Sequence, residues 1–344
     1  MRLKGIILAG GQGTRLWPLS KAHLPKQFLR FGDGDTLLQK AIQRCLQLCD
    51  PKDLFLVTSQ EFYQLVKADA ICIHPQLGQQ ILVEPEKKGT GPAIAFAVAY
   101  FLDVLQCDLQ ECFLVSSSDH LISPLEPFLS AVREGEAIAA QGHHVLFGIY
   151  PQRPETGYGY IQANAQGEVE QFIEKPELKV AQEFLLSGNY LWNSGIFVFQ
   201  LHTFLEELEK YAPSLAKQAK SSWPQSVQSF SELQEISIDY ALMEKSRKTR
   251  VLPLSASWSD VGSWDSVYDV MEKDEHENVK VGNVFDLDTQ NCLILGGKRL
   301  ISTIGVDNLF VIETEDAILI GKRGEAQRVK SLVEELKTRK LSTI

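Results

Sequence analysis

Three glycines and three cations near the N-terminus carry the densest chemistry in this sequence. Gly10, Gly11 and Gly13 follow directly on the apolar run Gly5-Ile6-Ile7-Leu8-Ala9, and Arg15, Lys21 and Lys26 come after them. A turn without side chains lets backbone N–H groups approach an anion, and fixed cations offset its charge, so the pattern suits a polyphosphate. Residues 1–32 hold Arg2, Lys4, Arg15, Lys21, Lys26 and Arg30 and no Asp or Glu, although the chain of 344 residues carries net −10. A solvated basic face is the ordinary explanation of such cations; a local excess running against the global balance favours a ligand instead. Pro25 fixes the backbone just before Lys26. Gly-Gly-x-Gly alone is a weak sign, since any tight turn uses the same residues. No Gly-Lys-Ser/Thr closes the stretch as in a P-loop, and Gly11-x-Gly13 lacks the third glycine of a dinucleotide fingerprint.

Other candidates lie downstream. Asp119 stands at the end of an apolar run, and Asp260 lies in Trp258-Ser259-Asp260-Val261-Gly262-Ser263-Trp264. Two carboxylates at strand or loop ends can hold Mg²⁺ together with phosphate oxygens. In an acid-rich chain either one alone is more simply structural. Glu174-Lys175-Pro176 offers a carboxylate for sugar hydroxyls and an ammonium for a phosphate, though an exposed ion pair is the commoner use. Asn193 in Trp192-Asn193-Ser194-Gly195 can read a hydroxyl as donor and acceptor, and Gly157-Tyr158-Gly159-Tyr160 lets backbone approach a ligand. His120, His143 and His144 lack metal-site spacing, and no Ser/His/Asp arrangement for nucleophilic catalysis is legible.

The elements that must position these residues alternate. Leu3–Ala9, Leu54–Thr58, Ile81–Glu84, Cys112–Ser116 and Val145–Ile149 read as strands; Thr36–Leu48, Ala93–Leu105 and Pro127–Ala140 read as helices. Such alternation predicts an α/β, Rossmann-like fold with a mixed, mostly parallel sheet, whose ligands bind at the carboxyl ends of strands. Beyond residue 150 the pattern mixes. Tyr158–Ala163, Glu168–Glu174 and Asn193–Phe199 read as strands, with Asn193 at the start of its strand. Phe204–Tyr211, Ile238–Lys245 and Val261–Met271 read as helices. From about Asn283, short apolar runs recur every 8–10 residues with Gly, Asp and Asn between them. This is an all-β module, either a small sandwich or a short β-helix. Val329, Leu332, Val333 and Leu336 then mark an amphipathic helix, read as docked on its own domain. The division expected is 1–270 and 271–344.

Composition bounds the rest. With 44% apolar and 23% charged residues the chain suits a globular protein of about two domains. The acidic balance argues against non-specific binding to nucleic acid or an anionic membrane. No apolar run approaches the ~20 residues of a membrane span, and the basic start followed by a short apolar run reads as a first strand rather than a signal peptide. Six cysteines, Cys45, Cys49, Cys72, Cys107, Cys112 and Cys292, fall in no metal-ligand spacing and read as free thiols, which fits a cytoplasmic location. The oligomeric state stays open, a homodimer included.

Taken together, these segments resemble the sugar-nucleotide pyrophosphorylases over nearly the whole chain, from Ile7 to about Leu336. Leu8–Phe28 matches the family signature, and its Pro25-Lys26-Gln27-Phe28 ending resembles the guanylyl branch. Glu84-Pro85 with Thr90-Gly91-Pro92-Ala93, Ser118-Asp119-His120, Pro154–Ile161, Phe172–Pro176, Trp192–Phe197 and Trp258–Trp264 follow in family order. Seven ordered motifs are highly specific.

The resemblance implies a nucleotide-diphospho-sugar transferase fold with a left-handed β-helix after residue 280. It implies GTP and mannose 1-phosphate as substrates, GDP-mannose and pyrophosphate as products, and Mg²⁺ on Asp119 and Asp260. The nucleotide would lie on Leu8, Ala9, Gly10, Gly11, Gly13, Thr14, Glu84, Thr90, Pro92 and Asp119, with Arg15 and Lys26 on its phosphates. Gly159, Glu174 and Asn193 would read the sugar and Lys175 would hold its phosphate. Arg15, Lys26, Lys175 and Asp260 are the expected catalytic set. Ser117, Lys21 and Gly91 depart from the family's usual Pro, Arg and Ala. Longer relatives carry a further cupin-like isomerase domain, which is not expected here. Rival readings are another sugar 1-phosphate and nucleotide pair, an idle sugar-nucleotide-binding regulator, and a GTP-hydrolysing switch, the last disfavoured by the missing P-loop.

Overall fold

The computed structural model describes residues 3–11, 13–31 and 34–339, with the backbone only of Thr14. The described residues form two compact units, one within 1–10, 41–118 and 122–256, the other within 11–40, 119–121 and 257–344.

The first unit is built on a nine-stranded mixed sheet. Its strands are β1 (Lys4–Leu8), β2 (Leu54–Ser59), β3 (Ile81–Glu84), β4 (Cys112–Ser117), then, beyond a short β5 (Leu121–Ser123) outside the sheet, β6 (His144–Ile149), β7 (Tyr160–Ala163), β8 (Val169–Ile173), β9 (Tyr190–Gln200) and β10 (Thr249–Pro253). The order is β10-β6-β9-β4-β1-β2-β3, with β7 and β8 branching from β9. β1 is parallel to β2 and β4, and β2 is parallel to β3. β9 is antiparallel to both neighbours, β4 and β6, which makes the sheet mixed.

Both faces of the sheet are covered, which explains why the central strands are continuously apolar. Ile6, Phe55, Val57, Phe113, Val115, Leu146 and Phe199 point to one face and pack on the helices Thr90–Asp103, Leu201–Tyr211 and Pro213–Ala219. On the other face, Val145 and Phe147 lie against Gly135 of the helix Leu125–Ala139, where a Cβ would stand 3.0 Å from the Phe147 ring. The helix Thr90–Asp103 is buried nearly all round, as its all-apolar circumference requires.

Two elements differ from expectation in ways that matter for function. Asn193 lies inside β9, not at its start, and a bulge opposite Leu146 and Gly148 breaks the register just after it. Gly195 in this bulge has φ +68, a value glycine adopts without strain. The segment after Ile238 forms a wide turn, Asp239–Met243, in which the Glu244 N–H donates to the Asp239 carbonyl at 3.0 Å. Five-residue spacing of this kind is rare and concentrates at functional sites.

The second unit holds β11 (Ser257–Ser259), β12 (Val279–Val281), β13 (Val284–Leu287), β14 (Leu293–Leu295), β15 (Ile301–Ile304), β16 (Leu309–Glu313) and β17 (Ile318–Lys322). β12, β14 and β16 stack in parallel, as do β13 and β15, and β17 closes the stack antiparallel to β16. Parallel stacking of alternate strands is the coil of a β-helix and excludes the sandwich. The expected helix after Asp260 begins only at Trp264. Val261 sits at φ +50, outside helical backbone, and Ser263 caps the helix by accepting the Ser266 N–H at 3.2 Å.

One large core runs through this unit, with a smaller cluster of Cys292, Ile294 and Val311 inside the β-helix. Leu16, Trp17, Leu29, Phe31 and Leu37 pack with Trp264, Val267 and Tyr268, with Leu293, Phe310 and Ile312 of the β-helix, and with Val329 and Val333 of the C-terminal helix. The Trp264 indole N–H donates to the Trp17 carbonyl at 3.1 Å. Leu332, expected on the apolar face of the C-terminal helix, is exposed. All six cysteines are free thiols. Among the described residues, no helix is long and apolar enough to cross a membrane.

Candidate active site

The glycine-rich loop continues into a short helical turn, Thr14–Leu16, in the second unit. Gly13 has φ +39, and a Cβ there would stand 2.5 Å from Lys26 Cγ, so the loop closes directly on the Lys26 stem. Gln27 holds the same loop by donating Nε2–H to the Gly11 carbonyl at 3.0 Å. Arg15 is exposed. Lys21 does not stay with these cations: its ammonium pairs with Asp316 of the β-helix unit.

Lys26 gathers the expected metal residues. Its Nζ lies 2.8 Å from an Asp119 carboxylate oxygen and donates to the Asp260 carbonyl at 2.7 Å. Burial opposes the charged amine, but the Asp119 and Asp260 carboxylates outweigh it and hold the Lys26 pKa above its usual value. Asp260 is aimed by its own loop. Its Oδ1 accepts the Gly262 N–H at 3.0 Å, and a Cβ on Gly262 would stand 2.5 Å from Asp260 Oδ2. Behind Asp119, His120 Nε2 lies 3.7 Å from the carboxylate, while its Nδ1 accepts the Trp258 indole N–H at 3.3 Å. That bond leaves the imidazole proton on Nε2, facing Asp119.

These groups also bear on metal binding. Among the described residues no three His, Cys, Asp or Glu side chains form a metal cluster. The Asp119 carboxylate on the ammonium, with the Asp260 carboxylate near enough to raise the Lys26 pKa, fits a hard cation that takes its remaining ligands from phosphate oxygens.

The first unit carries the remaining residues. The backbone of Leu8 and Ala9 is fixed by β1: the Ser118 N–H donates to the Leu8 carbonyl at 3.2 Å and the Ala9 N–H to the Val57 carbonyl at 2.8 Å. Gly10 faces Glu84, and a Cβ there would stand 2.7 Å from Glu84 Oε1. Burial pushes the Glu84 carboxyl up to about 7, with Lys87 opposing. Thr90 opens its helix with Pro92 buried in the first turn. The Thr90 hydroxyl is a brace: it accepts the Ile238 N–H at 2.9 Å, while the Gly91 N–H donates to the Ile236 carbonyl at 3.1 Å.

Gly159, Glu174, Lys175 and Asn193 come together in that unit. The Asn193 N–H donates to the Gly159 carbonyl at 2.8 Å. A Cβ on Gly159 would stand 2.4 Å from Glu174 Oε2, so only glycine admits this approach. Lys175, exposed and at φ +48, pairs its Nζ with Glu174 Oε1 at 2.9 Å. Glu174 Oε2 is buried and accepts no hydrogen bond.

Sequence reasoning missed two acids here. Asp239 Oδ1 accepts the Asn193 Nδ2–H at 2.9 Å, and Glu244 Oε1 accepts the Glu174 N–H at 3.3 Å. Burial, then the neighbouring Glu174 charge, raises Asp239 to about 6. An acid opening an apolar run is an ordinary helix start in sequence, so Asp239 carried no distinguishing signal.

Comparison with known proteins bears on the family and the fold. Residues 4–277 match the family model described as nucleotidyl transferase, and residues 282–336 match the MannoseP isomerase/GMP-like beta-helix domain. The xanthan biosynthesis protein XanB of Xanthomonas campestris pv. campestris (strain B100) is 41% identical over 97% of this chain and 73% of its own length. A mannose-1-phosphate guanylyltransferase of Escherichia coli is 37% identical over 96% of this chain and 73% of its own length. The crystal structure of mannose-1-phosphate geranyltransferase from Thermus thermophilus superposes with a TM-score of 0.87 at 32% identity, covering 98% of this chain and 100% of that one. With its mixed sheet, its glycine-rich loop closed on Lys26 and its parallel β-coil, this chain belongs to the nucleotidyl transferase family and carries a MannoseP isomerase/GMP-like beta-helix domain.

Proposed function

We propose that this protein is a mannose-1-phosphate guanylyltransferase, making GDP-mannose and pyrophosphate from GTP and mannose 1-phosphate. The observation that carries the reading is the convergence of Lys26, Asp119 and the Asp260 loop, with Gly13 closed on the Lys26 stem. The named activity of similar proteins supports the choice of substrates. In this reading Gly11, Gly13, Thr14, Arg15 and Lys26 hold the triphosphate. Leu8, Ala9, Gly10, Glu84, Thr90 and Pro92 take the base; Gly159, Glu174 and Asn193 read the sugar; Lys175 holds the sugar phosphate.

A phosphate oxygen of mannose 1-phosphate attacks the α-phosphorus of GTP in line, and the bond to the β-phosphate oxygen breaks as pyrophosphate leaves. The nucleophile is already an anion, so no general base is needed. Bringing two polyanions together is the main barrier, and positioning with charge neutralisation lowers it. Asp119 and Asp260 would hold Mg²⁺, which when bound supplies positive charge to the phosphate oxygens. Arg15, Lys26 and Lys175 add fixed cations. The free thiols suit a cytoplasmic enzyme.

The test is pyrophosphate release with Mg²⁺ across a panel of nucleoside triphosphates and sugar 1-phosphates. GTP with mannose 1-phosphate should give the highest kcat/KM. Preference for another pair would replace the substrate assignment, and tight GDP-mannose binding without turnover would make the protein a sugar-nucleotide binder.

A further inference from the structure

We infer that Asp239 is a specificity-determining residue of the sugar subsite, fixing Asn193 and accepting a hydroxyl of the bound hexose. The inference rests on the sugar-binding reading of Glu174 and Asn193 and adds a residue that reading does not contain.

Asn193 has its amide orientation set from both ends. Its Oδ1 accepts the Gly195 N–H at 3.1 Å, and its Nδ2 donates to Asp239 Oδ1 at 2.9 Å. One amide proton of Nδ2 is left over for a ligand. Without Asp239, nothing in this pattern would hold the amide nitrogen in place.

Asp239 is itself anchored through the backbone. The preceding residue, Ile238, donates its N–H to Thr90 Oγ1, and Ile236 exchanges backbone bonds with the Lys88–Gly91 segment: its N–H donates to the Lys88 carbonyl at 3.0 Å and its carbonyl accepts the Gly91 N–H. The carboxylate therefore projects from a braced turn.

The electrostatics point to a ligand rich in donors. Glu174 and Asp239 are close enough for the Glu174 charge to raise the Asp239 pKa. Glu174 Oε2 is buried with no donor beside it. Two like charges and an unsatisfied acceptor cost stability, and sugar hydroxyls would satisfy both. The missing side chain of Gly159 is what keeps Glu174 Oε2 clear of a Cβ.

The test compares the full-length wild type with Asp239→Asn, Asp239→Ala and Asn193→Ala under steady-state turnover. Asp239→Asn preserves size and an oxygen for Asn193 but replaces the charged acceptor. It should raise KM for mannose 1-phosphate roughly tenfold, leave KM for GTP within about twofold, and lower the mannose-to-glucose preference in kcat/KM roughly tenfold. Asp239→Ala should do so more strongly. A mannose 1-phosphate KM and preference within about twofold of wild type in Asp239→Asn would overturn the inference. So would a matched rise in both KM values with a lowered Tm, the sign of a purely structural role. Asn193→Ala separates the two readings: if it weakens mannose 1-phosphate while both Asp239 variants do not, the sugar subsite stands and the role of Asp239 falls. If the wild type selects another sugar 1-phosphate, the same KM comparison is made with that sugar, and an unchanged value still overturns the inference.

Discussion

Lys26 and Asp119 form a close ion pair, 2.8 Å from Nζ to carboxylate oxygen, under a loop that leaves no room for a side chain at Gly13. The ammonium is thus placed by packing as well as by charge. Lys26→Met should lower kcat by about 10²–10³, the usual scale for losing one preorganised charge in such a site. Lys26→Arg should rescue it poorly, because Gly13 already rests on the Lys26 stem. Pyrophosphate-release kinetics beside thermal melts would check both.

Arg15→Ala and Asp260→Ala should each lose most of kcat with the fold intact. Arg15 is exposed and Asp260 lies in a loop, so neither supports the core. Unchanged far-UV circular dichroism with normal turnover in either variant would remove that residue from the catalytic set.

Glu84 gives a pH signature. Its carboxyl is raised from 4.5 to about 7 by burial. In the proposed reading its carboxylate accepts hydrogen bonds from the base, and protonation turns one oxygen into a donor and weakens that acceptance. KM for GTP should therefore rise as the pH falls from 8 to 6 in the wild type. Glu84→Gln should start from a higher KM and remove this part of the slope, and the difference between the two profiles isolates Glu84 from the titration of GTP itself.

His144 should make the fold acid-sensitive. It is fully buried, neither ring nitrogen has a hydrogen-bond partner, and burial lowers its pKa from 6.5 to about 3. The neutral ring is what the fold accepts, so its stabilising share is complete above pH 6.5 and is lost as the pH falls toward 3. The slope from this group is about 1.4 kcal/mol per pH unit. Denaturant unfolding at pH 7 and pH 5 should show a larger loss for the wild type than for His144→Leu.

Much of the site was legible because it is local. Gly10 to Lys26 is one continuous stretch, and Asp260 with Gly262 sits in a single loop, so residue type and spacing carry the chemistry. Asp239 was not legible because its meaning depends on Asn193, 46 residues away. Thr90 was expected to face the base, and its bond to Ile238 across the fold could not be read from its neighbours. The β runs after residue 280 were clear, but sandwich or coil was decided by pairing: Val279 lies beside Leu293, and Leu293 beside Phe310. Those unequal intervals leave no repeat to read. The antiparallel insertion of β9 between β4 and β6 was equally silent, since strand order depends on long-range pairing.

The core shared by Trp17, Trp264 and the β-coil has a bearing on how this protein can be engineered. Leu16, Trp17, Leu29 and Phe31, the residues under and after the glycine loop, bury themselves against Phe310, Ile312 and Val333. The C-terminal module is therefore not a detachable tag. Exchanging it for the coil of a relative would change the floor on which the glycine-rich loop rests, and a chimaera would need residues 13–37 transplanted with it.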